Sequence, residues 1–154
     1  MSKERYLTKS AVFIVIQDQK GAFLFQERVN TGYMDGYLDT AASGHVEAGE
    51  SVSQAACREL QEELGLKVDP ADLSFMGVNH RKSQGQVYYD FYFYYQIDQR
   101  WAQDIKIAEP QKISQLVWLT RDQFNEQIID YNRIMIDQWS RGIFLTETGW
   151  GHYI

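Results

Sequence analysis

Ala11-Val12-Phe13-Ile14-Val15-Ile16 is a run of six apolar residues with no polar break, the pattern of a strand covered on both faces. Asp18-Gln19-Lys20-Gly21 then reads as a turn, and Ala22 to Gln26 as a second strand. Val29 to Tyr37 holds two glycines, an Asn and an Asp, which predicts an exposed loop. Tyr37 to Ala42 predicts a short strand leading into Gly44. The period then changes. Ser51 is an N-cap candidate with Ser53 and Gln54 in the first helical turn, and Gly65 ends that helix. Strands follow at Leu73 to Asn79, at Val87 to Ile97 with its seven tyrosines and phenylalanines, and at Leu116 to Leu119. Thr120-Arg121-Asp122 starts a short helix. Asn125 to Trp139, apolar at Ile128, Ile129, Ile134, Ile136 and Trp139, predicts the last one. With no repeat or linker, residues 1–154 read as one α/β domain: a mixed β-sheet packed between helices.

Composition narrows the partners. Apolar residues make up 44% and charged residues 23%, as in ordinary globular proteins. The net charge of −6 argues against nucleic acid as a partner. It leaves small phosphorylated molecules open, because a bound cation reverses the local sign of a site. A single cysteine, Cys57, excludes an internal disulfide and a cysteine-based zinc site, and its setting among small residues suits packing. No apolar run approaches membrane-spanning length, and the first ten residues lack a signal-peptide core. The expectation is a cytoplasmic protein without a membrane partner.

The chemistry is concentrated in Gly44 to Leu66. Glu59, Glu62 and Glu63 stand at i, i+3 and i+4, on one side of a helix, beside Val52, Ala55 and Ala56. Leu60 and Leu64 fall to one side, where they dock the helix. Crowded like charges of this kind suit a hard divalent cation held by oxygen ligands. They also suit a solvated face on which Arg58 pairs with Glu62. The helix alone leaves both readings standing. Its flank adds Glu47 and Glu50 on a glycine-punctuated turn where the backbone can approach a ligand closely.

The segment resembles the Nudix hydrolases, whose signature is G-x5-E-x7-R-E-U-x-E-E-x-G-U with U a bulky aliphatic residue. Gly44, Glu50, Arg58, Glu59, Leu60, Glu62, Glu63, Gly65 and Leu66 fill all nine specified positions. The resemblance implies an α/β/α sandwich and Mg2+, with Mn2+ as a substitute ion, held by Glu59, Glu62, Glu63 and the Gly44 carbonyl. It implies that Glu50 and Arg58 brace the loop, and that Glu47 adds an acid on the substrate side. The implied activity is hydrolysis of a diphosphate linkage in a nucleoside diphosphate derivative. Small size favours a nucleoside triphosphate or modified nucleotide, with ADP-ribose or a nucleotide sugar as the alternative. The ADP-ribose marker, a proline some fifteen residues past the box, is absent; Lys82 lies near that place. A nucleotide-binding domain without turnover is the reading of another class, and it usually lacks box acids that are present here. Isopentenyl diphosphate isomerases share an approximate box and something of Asp39 to His45, but they use a cysteine upstream of it.

Outside the box, Glu109 sits on the loop where the family often carries an acid, and is the candidate base or extra ligand. Arg28, directly after the second strand, is the candidate phosphate contact or an ordinary solvated arginine. The aromatic strand from Tyr88 to Tyr95 and Trp101 offer stacking surfaces for a base, or else core or homodimer interface. His80, Arg81 and Lys82 form a small phosphate-facing basic cluster at a strand end, while the histidines themselves, His45, His80 and His152, read as structural or exposed.

Overall fold

The computed structural model describes residues 3–151; His152 lies outside them. The apolar run becomes β1 (Lys9–Gln17), followed by β2 (Phe23–Arg28), β3 (Leu38–Thr40) and β4 (Ala42–His45). Helix α1 (Val52–Leu64) leads to β5 (Ser74–Ser83), β6 (Gln86–Gln96), a one-turn helix α2 (Gln99–Ala102) and β7 (Ile113–Leu119). Helix α3 (Asp130–Ser140) and β8 (Leu145–Thr148) complete the fold.

The strands form one mixed sheet in the order β3-β2-β1-β6-β5-β8, with β4 on β1 and β7 on β2. β1 runs parallel to β6 from Lys9↔Tyr88 to Gln17↔Gln96. On its other side β1 changes partner, pairing antiparallel with β4 over Ala11 to Ile14 and with β2 only at Gln17↔Phe23. The sheet therefore divides at the N-terminal half of β1, and that division opens the cleft described below.

Alternation along β1 explains why it carries no polar break. Ala11, Phe13 and Val15 join the core beneath α3, with Tyr92, Met135 and Ile136. Val12, Ile14 and Ile16 join the core beneath α1, with Leu24, Leu60, Leu64 and Phe93. Each fully buried side chain of this size contributes about 1.5–3 kcal/mol. The helix-sheet-helix layering matches the expected class.

Beyond strand ends that extend a few residues further than expected, three places differ from the sequence expectation. The last helix begins at Asp130, not Asn125, because Ile128 bridges Leu38 and the Ile129 amide donates to the Leu38 carbonyl, keeping this stretch extended along β3. The segment Tyr37 to Ala42 is divided into β3 and β4 at Ala41. β8 was not anticipated: Leu-Thr-Glu-Thr has little apolar signal and owes its strand state to parallel pairing with β5.

Candidate active site

Helix α1 is secured at both ends by its own sequence. The Ser51 hydroxyl accepts the Gln54 amide and the Gln54 side chain accepts the Ser51 amide, a reciprocal cap. Gly65 takes the left-handed conformation (φ 65°), and its amide and that of Leu66 close on the carbonyls of Gln61 and Leu60. With Ala55, Ala56, Leu60 and Leu64 docked on the sheet, Glu59 and Glu63 are carried into a half-closed position, each 8% exposed, while Glu62 stays exposed.

Arg58 is the hub of the segment. Its Nε and Nη2 donate to Glu50 at 3.1 and 2.7 Å, its Nη1 to Glu59 at 2.7 Å and Glu62 at 3.3 Å, and its Nη2 to the His45 carbonyl at 3.0 Å. Glu47 lies 3.7 Å from the same guanidinium, and its amide donates to Glu50. The loop before α1 is thus strapped to the helix through one charge. The Arg58 hydrogen bonds hold the Glu50 carboxyl below its ordinary range and raise the arginine above its own.

Glu63 is held differently. Its Oε1 accepts from Gln26 Nε2 on β2 and from the Ser43 amide on β4, both at 2.9 Å. Burial outweighs these bonds and pushes its carboxyl up to about 8. Burial also raises Glu59, opposed by Arg58. Gly44 sits against the Glu59 carboxylate so closely that a Cβ there would overlap it, and only glycine leaves that space open.

These groups line a cleft of about 720 Å³ at the division of the sheet. Gly44, Glu47, Glu59, Glu62 and Glu63 are all on its wall, as are Arg28 and Glu109. Glu109 arrives because its loop is tied to the C-terminal end of α1: the Ala108 amide donates to the Glu63 carbonyl and the Lys106 amide to that of Leu64. Arg28 reaches the cleft with its donors engaged, by Asp39 at 2.9 Å, the Tyr33 carbonyl at 2.8 Å and Thr31 Oγ1 at 3.2 Å.

Among the described residues no three Asp, Glu, His or Cys side chains are gathered around a single metal position. Glu59 and Glu62 face Arg58 and Glu63 faces Gln26 and Ser43. The donor chemistry nevertheless fits a hard divalent cation: carboxylate oxygens along one wall, two of them largely dehydrated, beside a glycine that lets the backbone close in.

The cleft continues to residues that the spacing of the acids did not reveal. Buried Asp39 accepts from Arg28, Ser43 Oγ, the Thr40 amide and Asn132 Nδ2, joining β2, β4 and α3. Arg81 pairs with buried Asp90 and lies over Tyr88 and Tyr131. The predicted basic cluster is split by strand alternation: Arg81 enters the cleft, while His80 stacks with Tyr89 and Trp150 on the other face and Lys82 lies over Trp150. Of the aromatic strand only Tyr88 lines the cleft; Tyr92 and Phe93 are core, and Trp101 is exposed on α2 and stands apart. His45 is exposed and stacks on Tyr88.

A family model described as NUDIX domain matches residues 7–139. The uncharacterised Nudix hydrolase PA4841 of Pseudomonas aeruginosa is 39% identical over 66 residues, covering 42% of this chain and 39% of that protein. YfcD of Escherichia coli, also named a Nudix hydrolase, is 41% identical over 61 residues, covering 39% and 34%. The matched part of the chain thus spans a little over a third of these relatives' lengths. Among solved structures, the MutT protein of Methanosarcina mazei superposes with a TM-score of 0.75 at 19% identity, covering 91% of this chain and 98% of that one. A Nudix hydrolase of Nitrosomonas europaea gives 0.69 at 23%, covering 90% and 93%. An Ap4A hydrolase of Caenorhabditis elegans gives 0.65 at 17%, covering 88% and 98%. At these identities the likeness is one of fold.

Proposed function

The chain belongs to the NUDIX family, and from that premise we propose that it is a divalent-metal-dependent hydrolase of a diphosphate linkage in a nucleoside diphosphate derivative. One observation carries the reading: Glu59, Glu62, Glu63 and, 46 positions beyond Glu63, Glu109 line a single cleft. Glu59, Glu62, Glu63 and the Gly44 carbonyl would hold Mg2+, or Mn2+ in its place. When bound, the ion neutralises phosphate oxygens and acidifies a water molecule.

The chain's own side chains do the rest. Arg58, clamped by Glu50, fixes Glu59 and Glu62 and keeps the loop at Gly44 in place. Glu109 takes the proton of the attacking water; its loop, tied to α1, keeps it on the cleft wall. Glu47 and Arg28 border the substrate, with Arg28 locked by Asp39. Water adds to one phosphorus, the bridging P–O bond breaks, and the proton passes to the carboxylate.

Turnover tests this reading. Purified protein with Mg2+ is assayed against nucleoside di- and triphosphates, ADP-ribose, nucleotide sugars and dinucleoside polyphosphates, with the released phosphate identified. Glu62→Gln and Glu109→Gln each lower kcat by about 10²-fold or more. Turnover that is indifferent to both substitutions removes the assignment. No helix among the described residues is long and apolar enough to cross a membrane.

A further inference from the structure

The hydrolase reading leaves the substrate's charge undecided, and the cleft's ion pairs bear on it. Six carboxyl and four cationic side chains line the cleft, and the three arginines among the four cations are already committed. Arg81 donates through Nε and Nη2 to Asp90 at 2.6 and 3.1 Å, with the two residues 6% and 0% exposed. Its guanidinium is pinned over the rings of Tyr88 at 4.1 Å and Tyr131 at 4.7 Å. Turning it toward a phosphate would strand a fully buried aspartate, a large penalty. Arg28 is bound on three sides, to buried Asp39, Thr31 and the Tyr33 carbonyl. Arg58 is spent on the loop and box acids. Lys112 alone among the four is exposed, and Glu109, 3.8 Å away, offsets its charge.

A cation at the box acids neutralises the phosphates beside it. A further phosphate meets carboxylates and three committed arginines, with the exposed Lys112, loosely paired to Glu109, as the one cation left to it. The part of the cleft around Arg81 and Tyr33 offers hydrogen-bonding groups whose charge is already balanced. Arg81 Nη1 lies 3.5 Å from the Tyr33 hydroxyl, and that hydroxyl lies 3.3 Å from the hydroxyl of Tyr131. The Tyr88 ring, Ser83 and Gln84 also line the cleft.

Resting on the hydrolase reading, we infer that the cleft selects a diphosphate whose remaining group is uncharged and accepts hydrogen bonds from the Arg81–Tyr33 edge, and that it discriminates against the matching triphosphate. Hydrolysis of such a molecule adds one water across the P–O–P bridge and yields two phosphate-bearing products and a proton. The committed arginines point away from a triphosphate.

The full chain with Mg2+ is compared on a nucleoside diphosphate, the triphosphate of the same nucleoside and a nucleotide sugar of the same base. The expected kcat/KM on the better diphosphate exceeds that on the triphosphate by about tenfold or more. Equal or better use of the triphosphate overturns the inference. Calorimetric binding of non-hydrolysable methylene-bridged di- and triphosphates to the same protein separates the two claims. Tighter binding of the diphosphate without turnover on any substrate discards the hydrolase reading and keeps this one. Binding of neither analogue, or equal binding of both, discards this one. Tyr33→Phe removes one hydroxyl from a loop residue and raises KM for the preferred diphosphate by about threefold or more, with kcat unchanged. An unchanged KM overturns the assignment of the Arg81–Tyr33 edge.

Discussion

Glu63 shows how far a single residue can be read from its neighbours in sequence. Its place in a row of acids is plain from spacing, since i, i+3 and i+4 on a helix must share a side. Its environment is not, because Gln26 and Ser43 come to it through strand pairing from 37 and 20 positions away. That environment has a measurable consequence in metal-free protein. The folded-state carboxyl titrates near 8 against an ordinary 4.5, so between these values the folded chain keeps a proton that the unfolded chain releases. The contribution is fully present below about pH 4.5 and is lost as pH rises through about 8. In EDTA, the urea midpoint of the wild type falls across this window more steeply than that of Glu63→Gln. Parallel midpoints for the two proteins contradict the assignment. Asp39 is equally hidden, since a lone Asp in a short strand carries no signal of its own, whereas Arg81 is visible as part of a basic cluster but its partner Asp90 is not.

At the scale of elements, α1 was the clearest because its signals agree: serine before it, small and leucine residues on one side, glycine after it. The reciprocal cap at Ser51 and Gln54 makes the N-terminus of this helix separable from its chemistry. Ser51→Ala removes the hydroxyl acceptor and destabilises the fold by about 1 kcal/mol. The change is read from denaturant unfolding, with kcat on the best substrate within about twofold of wild type, since Ser51 touches none of the acids. A stability loss below a few tenths of a kcal/mol counts against the cap. Where elements were misjudged, tertiary pairing was the cause. Ile128 and Ile129 have the apolar spacing of a helix but are held extended against Leu38, and β8 exists only because β5 offers an edge to it.

At the scale of the molecule, the layer order followed from β1, whose unbroken apolar run demands cover on both faces. The cleft did not follow, because it arises where β1 exchanges β4 for β2, a matter of register rather than of composition. That same strand has a consequence for synthesis. Lys9 to Gln17 pair in parallel with Tyr88 to Gln96, so β1 leaves the ribosome 79 positions ahead of its neighbour. Parallel pairing over such a separation is slow to nucleate. α1 is complete in the nascent chain by Leu64, yet its floor includes Phe93 of β6. At about 5–20 residues per second, the acidic helix spends roughly two to six seconds as an unsupported segment. Translation-arrested chains that expose residues 1–80 are therefore digested by protease like unfolded polypeptide, while chains that expose all described strands resist it.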